Sequence, residues 1–234
     1  MSRLDTVQEL TRMTVHVVAR ARVAETARFS LRVTPGGFGT PEFGEHGRRV
    51  RVAGDQLVVE QDPPGGAEVR AAPLIGSSLA DLAAVAGVDL STPLDVGHDT
   101  PDLGDPDVPL AIDPSVLAET TAWYRMVDAA LVSVVGGLDG AGSPTMPRLW
   151  PEHFDVAIDV GARDGVRANL GGSPGDGFSA EPYLYVGPWT DDRPGDDGFW
   201  DAPFGATRLR SALGDDPVDA AAAFFAEGLA RLWG

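Results

Sequence analysis

Apolar positions at helical spacing open the chain. Val7, Leu10, Thr14, Val17, Val18 and Ala21 predict an amphipathic helix over residues 4–24. Its opposite face carries Arg12, His16 and Arg20, four apart, which reads as a solvated stripe or else an anion site. The period then changes to two. Phe29, Leu31 and Val33 alternate with Arg28, Ser30 and Arg32, the pattern of a half-buried strand, and Gly36-Gly37-Phe38-Gly39 breaks it. Arg49–Val52 and Leu57–Glu60 flank Gly54-Asp55 and predict a hairpin, with a further short strand over 68–71. Ser77 or Ser78 caps a short helix that ends at Gly87.

Residues 89–113 are rich in Asp and Pro, yet apolar residues recur through them, so they read as a connector laid over the surface. Asp113-Pro114 starts a helix that runs to about Val135 and stops at Gly136-Gly137; its apolar residues nearly encircle it, as expected of a central buried helix. In the last third, Phe154, Val156, Ile158 and Val160 form one face of a strand. A three-residue loop with Gly165 in the left-handed position aligns Val160 with Ala168 and Ile158 with Leu170, and Asp159 falls opposite Asn169. A strand over 183–186 and a closing helix from Asp216-Pro217 complete the chain. The expected fold class is α+β, antiparallel sheets packed on a central helix with helices at both ends. It is one compact domain with two lobes, 1–88 and 114–234, joined by the connector 89–113.

Composition removes whole classes of chemistry. There is no cysteine, so disulfides, thiolate metal sites and cysteine nucleophiles are absent, and all 18 basic residues are Arg. Without lysine there is no Schiff base, no pyridoxal anchor and no phosphate-reaching P-loop lysine. A net charge of −17 argues against nucleic acid and against an anionic membrane face as partners. The charge is uneven: residues 1–80 carry 9 acids and 10 Arg, the rest 26 acids and 8 Arg, which reads as ordinary solvation. The first residues are charged and lack an apolar leader core, so a cytoplasmic location is expected.

Several motifs fail on mechanism. Gly171-Gly172-Ser173-Pro174-Gly175 spells the hydrolase elbow, but Pro174 has no N–H for an oxyanion hole and no histidine lies downstream. Gly37-Phe38-Gly39 follows a strand, but Glu42 stands where a dinucleotide loop needs its third glycine. No cofactor is therefore expected. Asp102, Asp105 and Asp107, and Asp191, Asp192, Asp196, Asp197 and Asp201, are acidic groups without calcium-loop spacing, so no metal is assigned. His46 and His98 read as isolated loop histidines. His153 shares an extended-strand face with Asp155 and Asp159, so either acid would orient the imidazole as a general base.

The last 85 residues concentrate chemistry-bearing side chains. Trp189, Trp200, Tyr183 and Tyr185 supply aromatic walls, and Glu152, Arg167, Asn169, Ser173, Asp176 and Glu181 supply polar groups on turns and strand ends. Asn169 is the only asparagine. The same residues also describe a core with polar-tipped rings at its rim.

The runs Leu149–Asp155, Asn169–Trp189 and Phe199–Ala206, with Thr34-Pro35-Gly36-Gly37-Phe38-Gly39-Thr40-Pro41, resemble a group of uncharacterised actinobacterial proteins over most of the chain. The resemblance implies a bacterial cytoplasmic setting and carries over no catalytic residue. Three readings stay open: a protein that binds a small molecule or a partner in the C-terminal lobe, a hydrolase or lyase using His153, with or without a metal, and an assembly protein with no site. The oligomeric state is open too.

Overall fold

The computed structural model describes residues 2–94, 99–161, 165–195 and 198–234. His98, two residues of the 163–165 turn and the Asp196–Asp197 pair lie outside them. The fold is α+β, with two five-stranded antiparallel sheets. The chain forms two compact units, one of residues 1–122 and 149–154, the other of 123–148 and 155–234. The boundary thus falls inside a helix, and the Pro/Asp-rich connector belongs wholly to the first unit.

In the first unit, helix α1 (Arg3–Met13) opens with a capping box in which Ser2 and Asp5 satisfy each other's main-chain donors. It continues through a π-helical segment, Thr14–Ala19, into α2 (Arg20–Thr26). The sheet is a meander of β1 (Arg32–Thr34), β2 (Gly37–Gly39), β3 (Arg49–Ala53), β4 (Gln56–Gln61) and β5 (Glu68–Pro73). Phe38, Val50, Val52, Leu57 and Val59 point inward and are buried. The strand at β2 replaces the break that glycine suggested. A Cβ on Gly37 would stand 2.1 Å from the Val52 carbonyl oxygen, so glycine is what lets the strands approach here. α3 (Leu79–Ala86) ends as foreseen at a left-handed Gly87, and of the two candidate caps it is Ser78 that starts it, in a capping box with Asp81.

The Arg12–His16–Arg20 stripe is not a solvated face. Arg20 donates to the carbonyls of Asp89 (2.7 Å) and Thr92 (2.5 Å), Arg12 to that of Leu103 (2.8 Å), and His16 Nε2 lies 2.7 Å from that of Pro101. A carbonyl only accepts, so Nε2 carries the proton. His16 and Arg20 are buried. Burial lowers the His16 pKa, and the neighbouring Arg20 and Arg12 push the same way, against the carbonyl. The stripe therefore holds the connector to the helix by its main chain.

α4 (Pro114–Gly137) crosses from one unit to the other and buries Leu117, Thr120, Tyr124, Val127, Leu131 and Val134 along one stripe, while Val132 stays exposed. The remaining strands are β6 (Arg148–Trp150), β7 (Asp155–Gly161), β8 (Arg167–Ser173), β9 (Tyr183–Pro188) and β10 (Ala206–Leu209), ordered β10-β9-β8-β7-β6. The β7–β8 register pairs Val160 with Ala168, Asp159 with Asn169 and Ile158 with Leu170, as the sequence pattern required, and Gly165 is left-handed at φ 81°. In the second unit one sheet face lies against helices. Gly172 leaves room for Val127 of α4, and Gly228 of α5 (Pro217–Trp233) packs on Val186. No helix among the described residues is long and apolar enough to cross a membrane.

Candidate functional site

Strand alternation sorts the second sheet into two faces. Val156, Ile158, Val160, Ala168, Leu170, Leu184 and Val186 are buried on the helix side. The other face carries Asp155, Ala157 and Asp159 from β7, Arg167, Asn169, Gly171 and Ser173 from β8, Tyr183, Tyr185 and Gly187 from β9, and Thr207 from β10. Register sets three rows across it. Ser173 lies beside Tyr183, then Ala157, Gly171, Tyr185 and Thr207 follow in line, then Asp159, Asn169 and Gly187.

The first row is built around the Asp176 carboxylate. Its Oδ2 accepts the Tyr183 phenol at 2.7 Å and the Ser173 hydroxyl at 3.0 Å, and its Oδ1 accepts the main-chain N–H of Phe178 (2.8 Å) and Ser179 (3.3 Å). Ser173 is buried and also accepts from Gly175 N–H. Its hydroxyl thus knots the loop, the structural role expected of the failed elbow motif. The loop presents Phe178 to Tyr183, and Phe204 meets Phe178 with ring centroids 5.0 Å apart. Both phenylalanines keep large exposed areas, 48% and 37%.

In the second row Tyr185 reaches across β8 to donate its phenol to Asp155. Gly171 makes this path: a Cβ there would come within 2.5 Å of the Tyr185 oxygen. Burial raises the pKa values of Tyr183 and Tyr185, and the carboxylates they bond raise them further; burial and the Asp155 charge do the same to Tyr124. All three phenols are donors at neutral pH.

The third row has the opposite character. Arg167 and Asp159 form a forked ion pair with contacts of 2.9, 3.1 and 2.6 Å. The Arg167 guanidinium lies over the Trp189 ring, and the Trp189 indole N–H donates to Asn169 Oδ1 at 3.1 Å. Trp189 N–H also pairs with the Arg167 carbonyl, which prolongs the strand ladder by one residue beyond Pro188. Tyr185, Gly187 and Trp189 are thus alternate residues on one face, each about 6.6 Å along from the last. Trp189 is 60% exposed. A Cβ on Gly187 would meet only ordinary contacts, with the Phe204 and Asn169 carbonyl oxygens at 3.6 and 3.9 Å and Tyr185 Cδ2 at 4.0 Å, so this position has room for a further group.

The residues singled out from sequence divide accordingly. Ser173, Asp176, Tyr183, Tyr185, Arg167, Asn169 and Trp189 share this face with Asp155 and Asp159. Glu181 accepts Ser211 N–H, and Trp200 belongs to another ring cluster with Phe199, which meets Phe224 of α5. Glu152 and His153 lie in the first unit. β7 begins only at Asp155, and Phe154 has φ 52°, so the alternation that would align His153 with Asp155 and Asp159 is broken one residue earlier. His153 Nδ1 instead faces Asp99 at 3.6 Å with both side chains exposed. Burial raises the Glu152 pKa, and its Oε2 has no hydrogen-bond partner.

Among the described residues, no three His, Asp or Glu side chains are grouped to hold a metal. Asp105 and Asp201 instead accept main-chain N–H groups of Asp107 and Thr207. Sequence reasoning missed Phe178, Phe204, Gly171 and Gly187. The alternation Tyr-x-Gly-x-Trp over residues 185–189 was the signal for the last. No protein-family model, curated protein or solved structure matches the chain.

Proposed function

We propose that the protein binds a small planar organic molecule on the polar face of its second sheet. The ring of the ligand lies on Gly187 between Tyr185 and Trp189, and its polar edge meets Asn169 and the Arg167–Asp159 pair. One observation carries this reading: Gly187 leaves uncrowded room beside Tyr185 and Trp189, on a face whose polar side chains are tied down by hydrogen bonds. Rigid aromatic walls with a few fixed polar groups favour binding because little side-chain entropy is lost.

Catalysis through a histidine base draws no support from this face, since the second unit's segments contain no histidine. The purely structural reading does not account for the room at Gly187. Trp189 reports on occupancy directly. Titration of its fluorescence with nucleobases, indoles and flavins is expected to show saturable quenching by at least one ring class. Gly187→Val, which fills this room and leaves both walls, is expected to abolish it. Quenching that survives Gly187→Val, or no response to any of these rings, would overturn the proposal.

A further inference from the structure

The first sheet ends in a strand, β5, with no strand on its outer edge among the described residues. At the far side, Leu31, just before β1, bridges to Leu149, whereas among the described residues β5 has β4 as its one strand neighbour, and of its outward groups the Pro73 carbonyl accepts the Ser77 hydroxyl at 2.6 Å. Which of its main-chain groups face outward follows from one hydrogen bond. Leu74 N–H donates to the Asp55 carbonyl at 2.8 Å, continuing the β4–β5 register by one pair. Bonded pairs alternate in an antiparallel ladder, so Ala72, Arg70 and Glu68 also bond to β4. Val69 and Ala71 turn their N–H and C=O groups away from the sheet. Pro73 shares that orientation but has no N–H to offer. Val69 is 66% exposed, the most exposed large apolar side chain among the described residues.

We infer that this edge pairs with the same edge of a second copy, antiparallel and two-fold symmetric about Val69. Only one outward-facing centre suits the sequence. Centred on Val69, the ladder sets Val69 against its own copy as a doubly hydrogen-bonded pair and Ala71 against Ala67. Glu68 then faces Arg70 on both sides of the axis, as a non-bonded pair where side chains stand closest. Centred on Ala71, it would set Val69 against Pro73 and lose a donor. Charges on an edge strand ordinarily repel a second copy; here their order, Glu-Val-Arg, is self-complementary under a two-fold axis. Glu68 is held at the edge by the Gln61 amide at 2.8 Å, and Arg70 has no ion-pair partner among the described residues.

Sedimentation equilibrium of the full chain tests this without reference to any ligand. The expected species is a reversible dimer of the 24.5 kDa chain. Glu68→Arg and Arg70→Glu each set like charges face to face and are expected to weaken the dimer at least tenfold, while the double swap restores it. Val69→Pro removes the central donor and is expected to give a monomer with unchanged circular dichroism. A chain that is monomeric up to its solubility limit would overturn the inference. So would a dimer indifferent to both single reversals.

Discussion

Two antiparallel sheets of equal strand number turn one face outward, and the two faces differ in what covers them. The outward face of the first carries Arg51 paired with Glu60 across β3 and β4 (2.9 Å), and it holds no aromatic ring. The corresponding face of the second carries two tyrosines and Trp189, each with its polar atom bonded to an acceptor. Glycine marks the contrast. Gly39 is crowded by Arg51, whose Cβ would lie 2.3 Å from an added methyl, and Gly171 lies beneath the Tyr185 phenol; a methyl at Gly187 would meet only ordinary contacts of 3.6–4.0 Å. A glycine under a neighbour serves packing. A glycine without such crowding is not required by packing, and Gly187 is the one on which the proposed ligand rests.

Alkali should separate the two faces most strongly. All three tyrosines belong to the second unit, and in the fold all three hold their protons above the ordinary value of 10.0. The folded protein therefore binds more protons than the unfolded chain once pH exceeds that value. Their contribution is complete below pH 10.0 and is lost as pH rises. Urea midpoints should fall steeply above that pH, in step with the tyrosinate absorbance; unchanged midpoints would remove the buried phenols from the account.

Gly171→Val comes next. It should cost roughly 2–3 kcal/mol, because Tyr185 must leave its place, whereas the same side chain at Gly187 should leave the urea midpoint nearly unchanged. Equal losses at both positions would erase the distinction drawn between them. Tyr185→Phe should cost about 1.5 kcal/mol, for a hydrogen bond to a buried carboxylate. Arg51→Ala on the first face should cost at most about 1 kcal/mol, as a partly exposed ion pair does.

Much of the fold is legible in the amino-acid sequence. The β7–β8 register followed from the side-chain period, since a slip of one residue would turn Ile158 and Val160 outward. The end of α3 followed from Gly87, and its start was narrowed to Ser77 or Ser78, of which Ser78 is the cap. What escaped is where neighbours override local pattern. Gly37 and Gly39 look like a turn alone and become a strand only because β3 lies too close for a side chain. Phe154 reads as the first residue of a strand, yet its left-handed backbone takes His153 out of line with Asp155. Ring density in the sequence singled out Tyr183, Tyr185 and Trp189, which share one face of the second sheet. Phe178 and Phe204 joined them through a loop folded on Asp176, a tertiary event with no periodic trace. Trp200 and Glu152 have the same composition signal and lie elsewhere.

The hydrogen bonds that Arg12, His16 and Arg20 make to Asp89, Thr92, Pro101 and Leu103 all end on peptide oxygens. Every amino acid presents that atom, so Thr92, Pro101 and Leu103 can exchange side chains over evolutionary time without losing these hydrogen bonds. Drift is expected to be fast at these clasped positions and slow at the three residues that clasp them.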